Sequence, residues 1–319
     1  MLSSIPKVQK GEKHMIPARL RKGDTLGIIA PSDSVTEKNL EEFNNSILLM
    51  EASGYKLKIG KNVFANPTGY GATAEQKAED LNKMFAADEV KMVWCAKGGF
   101  NSNSIFDLID YELIKTNPKI LCGYSDTTAI ANIIYEKTGL VTFSGQTFKG
   151  LSACETEYCY KEIIKRFQDG SLELGTKDDE YRVINQGQAE GIMIGGNLNI
   201  MSNLITGKYN VDVTDKILFL EEFWLESPPE AVSSYFYRMK QNDVFSKIKG
   251  IWLGGYKHES GITLAQVLKD TIGNEYDFPI IQSDNFGHID PKTVIPIGAR
   301  VRIDTDDKVK IKLLEECVK

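Results

Sequence analysis

Short apolar runs alternate with longer amphipathic stretches through the first half of the chain, and this alternation predicts its elements. Residues 26–30, 90–96, 120–122 and 140–144 read as strands, and residues 55–59 as a further one. Between them, 36–53 and 73–87 read as helices, the second with Ala74, Leu81, Met84 and Phe85 facing inward. A short helical piece ends near Leu108, and another helix follows Asp126, with Ile130, Ile133 and Ile134 on one face and Gly139 as its stop. A helix over 155–167 closes this half. Nearly continuous apolar strands separated by helices indicate a parallel sheet covered on both faces. In such sheets chemistry lies beyond the carboxyl ends of the strands, where loops 31–34, 97–103 and 123–127 are rich in small and polar residues and can converge.

A polar stretch follows, and the second half opens at Gly187 with a strand, a turn at Gly195-Gly196 and a helix to about Thr206. Residues 217–220 form an apolar strand ending directly in Glu221-Glu222. Helix 230–241, strand 250–253, helix 263–271 and strand 278–282 lead into the loop at 283–288. The tail, 294–313, alternates like antiparallel strands. No internal repeat is visible. The expected division is an N-terminal α/β domain over 1–170, a linker over 171–186 and a C-terminal domain over 187–319.

The bulk properties narrow the function. A chain of 319 residues is long for one core, which agrees with two domains. The formal charge of −6 argues against a partner that is a nucleic-acid polymer. No apolar run approaches the roughly 20 residues that span a bilayer, and residues 1–15 lack the apolar centre of a signal peptide. A cytoplasmic protein with no membrane partner is expected. Five cysteines, an odd count with no CxxC pair, argue against a disulfide framework or a zinc site, and Cys95 and Cys122 read as buried thiols. No His/Asp/Glu set has ligand spacing, so neither metal nor cofactor is expected.

The candidate chemistry centres on Gly123-Tyr124-Ser125-Asp126. Strand, tight turn and helix raise a serine to a helix N-terminus, where backbone N–H groups favour a developing negative charge. The arrangement resembles a nucleophile elbow without that motif's second glycine. The competing reading is an ordinary N-cap. A serine nucleophile needs a base and a group to orient it. Of the three histidines, His14 lies in the lysine-rich lead-in and His258 in a plausible turn. His288 follows a strand end and is the best base by position, against a loop histidine with no task. Glu221 ends a buried strand and needs a partner; an imidazole N–H serves, as would a salt bridge or solvent. Gly98-Gly99 can bring backbone N–H groups close to a substrate oxygen, or form a plain tight turn. Gly195-Gly196-Asn197 is not followed by the lysine of a phosphate loop.

Several ordered segments together are more specific than any one of them. Leu20 to Ser32, Ala96-Lys97-Gly98-Gly99-Phe100-Asn101-Ser102-Asn103, Gly123 to Asp126, Gly195 to Leu198, Leu218 to Glu222 and Asn285-Phe286-Gly287-His288 resemble the serine peptidases comprising LD-carboxypeptidases and microcin C immunity proteins. The resemblance spans nearly the whole chain. It implies a flavodoxin-like N-terminal domain, a swivelling β/β/α-type C-terminal domain and an active site between them. It also implies a triad of Ser125 as nucleophile, His288 as base and Glu221 as orienter, with the oxyanion held by backbone N–H groups of Gly99 and Asp126. A homodimer is implied as well.

Lys97 and Phe100-Asn101 stand where the murein-recycling branch usually has an arginine and a tyrosine-glycine, so the chain looks more like the microcin-immunity branch. That branch resembles amidases of aminoacyl-nucleotides that stack the nucleobase on aromatic residues. Phe223-Trp224 or Tyr181 would offer such a face, with ordinary packing as the alternative. Asn101 and Asn197 are the further substrate-binding candidates with Trp224. The expected protein is thus a cofactor-free serine hydrolase cleaving an amide bond in a small carboxylate-bearing substrate, an aminoacyl-nucleotide or a murein tetrapeptide. A metal-dependent hydrolase and a non-catalytic small-molecule binding protein are the rivals.

Overall fold

The computed structural model describes residues 14–153, 156–174, 180–290 and 292–319. They fall into two compact units, one running to Gly170 and including Cys317–Lys319, the other Ser171–Glu316.

The first unit is built on β1 (Thr25–Ile29), α1 (Glu37–Ala52), β2 (Lys56–Ile59), α2 (Ala74–Ala86), β3 (Val90–Cys95), α3 (Tyr111–Thr116), β4 (Ile120–Gly123), α4 (Thr128–Thr138), β5 (Thr142–Ser144) and α5 (Thr156–Phe167). Its strands are all parallel in the order β2-β1-β3-β4-β5, a flavodoxin-like sheet. The chain leaves β1 towards β2 on one side and returns to β3 on the other. The loops after β1 and β3 therefore part at the switch point, where such sheets open a crevice. Burial explains the strand sequences. Five of the six residues of β3 are buried, as are all four of β4. Trp94 packs edge-on against Phe148, 5.5 Å between centroids, and its indole N–H donates to the Gln146 carbonyl at 2.7 Å. Helix α2 starts on a capping box: the Thr73 hydroxyl accepts from the Gln76 backbone N–H, and the Gln76 side-chain oxygen accepts from the Thr73 backbone N–H. Helix α4 ends at Gly139, whose φ of 76° is the left-handed stop.

Helix α4 is buried on every side rather than on one stripe, Asn132, Glu136 and Lys137 included. Helix α3 was not expected, because a single short turn capped by Asp110 carries too little periodicity to be seen.

The second unit contains β6 (Tyr181–Asn185), β7 (Gln188–Asn197), α6 (Leu198–Leu204), β8 (Lys216–Glu221), α7 (Pro229–Gln241), β9 (Gly250–Leu253), α8 (Leu264–Ile272), β10 (Ile280–Ser283), β11 (Ile295–Ile297), β12 (Arg300–Asp304) and β13 (Ile311–Leu313). The sheet order is β13-β12-β7-β8-β9-β10-β6. Strands β7 to β10 are parallel, while β6, β12 and β13 pair antiparallel. The expected turn at Gly195-Gly196 is instead the end of β7, paired with β8 through Asn197↔Glu221. Those glycines have φ of 144° and 130°, and a Cβ on Gly195 would collide with the Phe219 carbonyl, so here glycine admits a close neighbouring strand instead of breaking one. Residues 181–185, assigned to the linker from sequence, form an edge strand on β10; their polar, half-exposed positions hide it.

Among the described residues no helix is long and apolar enough to cross a membrane, and no group of three His, Cys, Asp or Glu side chains could hold a metal. Cys95 and Cys122 are free and buried, and burial pushes the Cys95 thiol up to about 12. Cys159 is disulfide-bonded, which the odd count did not lead one to expect.

Candidate active site

In the first unit the three loops do converge. Ser125 opens a single 3-10 turn between β4 and α4, and its φ of 66° is left-handed, one of three such non-glycine residues among those described. Holding a serine there costs about 1–3 kcal/mol and marks a position fixed by its surroundings. The N-cap of α4 is Thr127, so Ser125 is not that helix's cap. Gly98 lies against it: a Cβ there would stand 3.0 Å from Ser125 Cβ and 3.1 Å from Oγ. Gly99, with φ of 155°, could carry no side chain without striking Asp33 and Ser32.

Asp126 ties these loops together. Its carboxylate is 3% exposed and accepts from Ser32 Oγ at 2.5 Å and from the Ser102 N–H at 2.8 Å, both on Oδ2. Its carbonyl accepts from Ser102 Oγ at 2.7 Å. Lys97 Nζ lies 3.5 Å from Asp33 Oδ2, and Lys77 Nζ donates to Asn101 Oδ1 at 2.5 Å. Lys77 escaped the sequence reading, yet a signal existed: it stands four residues before Leu81 and seven before Met84, on the face taken as inward. Phe100 is 74% exposed.

In the second unit Glu221 ends β8, is 2% exposed, and its Oε2 accepts from His288 twice: from Nδ1 at 2.7 Å and from the backbone N–H at 3.0 Å. Oε1 is buried without a hydrogen-bond partner among the described residues. With the proton on Nδ1, the acceptor of the neutral ring is Nε2. Burial alone pushes His288 down, but the Glu221 charge and hydrogen bond, aided by Glu222, hold it above the ordinary histidine value. The imidazole also stacks on Phe223, 4.6 Å between centroids at 21°. Gly287, with φ of 97°, allows the approach, since a Cβ there would stand 2.6 Å from Glu221 Cβ. The 283–288 loop is braced by Trp252 Nε1 donating to Ser283 Oγ at 2.8 Å and by Ser283 Oγ donating to Asn285 Oδ1 at 2.7 Å.

The neighbouring Glu222 is spent differently. Its carboxylate accepts from Asn197 Nδ2 at 3.0 Å, the Phe223 N–H at 2.9 Å and the Asn199 N–H at 2.9 Å. Burial, then the charge of Glu221, raises its pKa. Asn197 Oδ1 meanwhile caps α6 through the Ile200 N–H at 3.1 Å, so both ends of this amide are engaged within the protein. Trp224 is half-buried beside Phe223, 5.6 Å between centroids. Tyr181 lies on β6 opposite Ser283. His258 is bound to Ser260, 2.8 Å away, and His14 stacks on Tyr135.

A nucleophile-like serine turn and a histidine held by a buried carboxylate are the equipment of a serine peptidase-type hydrolase, and comparison with known proteins agrees. Residues 26–145 match the LD-carboxypeptidase N-terminal domain and residues 190–303 the LD-carboxypeptidase C-terminal domain. The chain belongs to the LD-carboxypeptidase family. It is 33% identical over 307 residues to a probable murein peptide carboxypeptidase of Bacillus subtilis (strain 168), spanning 92% of this chain and 93% of that one. It is 28% identical over 329 residues to the microcin C7 self-immunity protein MccF of Escherichia coli, spanning 92% and 94%. Among solved structures, an MccF-like protein from Bacillus anthracis str. Ames superposes with a TM-score of 0.84 at 29% identity, over 94% of this chain and 98% of that one. MccF in complex with aspartyl sulfamoyl adenosine does so with a TM-score of 0.84 at 27% identity, over 96% and 100%.

Proposed function

We propose that Ser125, Glu221 and His288 act as a catalytic triad that hydrolyses an amide bond in a small, carboxylate-bearing substrate. The observation that carries the reading is the double grip of Glu221 Oε2 on His288. It fixes the ring and its tautomer as a general base requires. His288 Nε2 takes the Ser125 Oγ proton as the oxygen attacks the substrate carbonyl, and the resulting oxyanion is met by the backbone N–H groups of Gly99 and Asp126. Collapse breaks the C–N bond, with the proton passing from His288 to the leaving nitrogen. Water, deprotonated by the same histidine, then releases the acyl group from Ser125.

The substrate class we favour is an aminoacyl-nucleotide amide. Lys97 and the Phe100-Asn101 loop support it, as does the likeness to MccF, whose solved structures include complexes with aspartyl sulfamoyl adenosine and glutamyl sulfamoyl guanosine. A murein tetrapeptide is the second reading, favoured by the 33% identity to the Bacillus subtilis carboxypeptidase. We place the enzyme in the cytoplasm as a homodimer, which light scattering of the purified protein tests. A mass-spectrometric endpoint assay of wild type and Ser125→Ala, with a murein tetrapeptide and an aspartyl-adenylate analogue side by side, tests the rest. Loss of D-alanine selects wall recycling, and cleavage of the aminoacyl-nucleotide alone selects detoxification. Turnover surviving Ser125→Ala defeats the triad.

A further inference from the structure

Lys77 is a cation in an enclosed place. It is 2% exposed on the inward face of α2, where an ammonium needs compensation. Burial lowers its pKa from the ordinary lysine value, and the charges of Asp126 and Asp33 offset part of that fall. On another side, a Cβ on Gly71 would stand 3.8 Å from Nζ and 3.5 Å from the Ser32 carbonyl, so the turn before α2 closes over it.

The hydrogen bond to Asn101 has a further consequence. An ammonium only donates, so Oδ1 of Asn101 must face Lys77 and Nδ2 must face the other way. That NH₂ group has no hydrogen-bond partner among the described residues. The loop carrying it is pinned on both sides, by Gly98 against Ser125 and by the Ser102 N–H on Asp126 Oδ2 at 2.8 Å. The pull of Lys77 on Oδ1 also polarises the amide, so that its N–H groups favour a charged acceptor over a neutral one.

We propose that Asn101, turned by Lys77, receives a carboxylate of the substrate, and that Lys77 is a positioning residue acting through Asn101 without touching the substrate. This rests on the reading of Ser125 as nucleophile only in taking this loop to face the substrate.

Binding is measured by calorimetry in the Ser125→Ala background, where no turnover is needed. The probes are two acid/amide pairs: aspartyl and asparaginyl sulfamoyl adenosine, and murein tetrapeptide with a free or an amidated C-terminus. At least one acid binds more tightly than its amide, and the pair that shows the preference identifies which carboxylate is received. Asn101→Ala weakens that acid by about ten- to a hundredfold, the range for a hydrogen bond to a charged group, and removes the preference. Asn101→Asp keeps the Lys77 contact but sets charge against charge, so it weakens the acid further and leaves the amide nearly unchanged. Lys77→Met matches Asn101→Ala, the two together lose no more than Asn101→Ala alone, and Lys77→Arg retains most of the affinity. Melting curves identify a Lys77→Met protein that does not fold, in which case Lys77→Arg and the Asn101 variants carry the test. An acid preference that survives Asn101→Ala, losses that multiply in the double variant, or no binding by either acid would overturn the proposal. Turnover surviving Ser125→Ala, read separately by mass spectrometry of the titrated probes, would defeat the catalytic reading without overturning this proposal, which is then judged by the acid preference of the Asn101 and Lys77 variants in KM on the same pairs.

Discussion

Replacing Glu221 by Gln changes one atom and one charge, and the geometry says what each does. If the amide oxygen takes the place of Oε2, it still accepts from His288 Nδ1 and the backbone N–H, but as a neutral acceptor. Losing the charge from a buried hydrogen bond of 2.7 Å costs about 1.5–3 kcal/mol of transition-state stabilisation. The amide nitrogen then falls where Oε1 is buried without a partner among the described residues, which adds a desolvation cost; the flipped amide escapes it only by setting its NH₂ against the His288 backbone N–H, which cannot accept. In that orientation an N–H faces Nδ1, the ring moves its proton to Nε2, and the base is lost. The two effects together lower kcat by roughly 10²- to 10⁴-fold. The pH dependence separates them from general damage. His288 is held above its ordinary 6.5 mainly by Glu221, against burial. Without that charge the acidic limb of kcat/KM moves to lower pH even as the plateau falls. The shift is limited by Glu222, which ionises more readily once its neighbour is neutral. The assay is a full pH–rate profile of wild type and variant on the same amide substrate. A limb that stays put or moves up would falsify this account of His288, whatever happens to the plateau.

Gly98→Ala should leave melting temperature within a few degrees of wild type yet cut turnover at least about tenfold, because the new methyl at 3.1 Å from Ser125 Oγ crowds the attacking atom; thermal melts beside kinetics check the split. Gly287→Ala meets both a left-handed φ of 97° and the Glu221 side chain, so it should lower stability by about 1–3 kcal/mol and activity with it, read by denaturant titration. His288→Gln should be most destabilising at low pH. A folded pKa above 6.5 gives stability that is fully present below the unfolded value and lost as pH rises through the folded one, so the gap in melting temperature between wild type and variant should shrink from pH 5 to pH 9.

Much of the first unit could be read from the chain because a covered parallel strand leaves little freedom. With both faces buried, β3 and β4 must be apolar almost throughout, and such runs stand out between helices. The residues after them inherit their place from the topology, so the loops at 31–34, 97–103 and 123–127 fall at one end of the sheet by strand order alone. What periodicity does not carry is the reason for an exception. Gly195-Gly196 reads as a turn because glycine usually breaks a strand; only the nearness of the Phe219 carbonyl shows why β7 needs it.

The paired glutamates mark the same limit within the site. Alternation along β8 puts Glu221 and Glu222 on opposite faces of the strand. Both are buried, at 2% and 3% exposure, so the pattern gives the direction of each side chain but not what awaits it. A buried carboxylate is stable only with donors, and these come from far along the chain: His288 for Glu221, and Asn197, Asn199 and Phe223 for Glu222. Asn197, a substrate-binding candidate from its loop, also has an internal task, since its amide is engaged by Glu222 and by the start of α6. Lys77 is the converse, an ordinary helix lysine by composition whose position on the apolar face already required an anionic or carbonyl partner. In both cases the informative question is which polar group must be satisfied where it is buried, and a spacing rule can pose that question, but only the fold brings the partner.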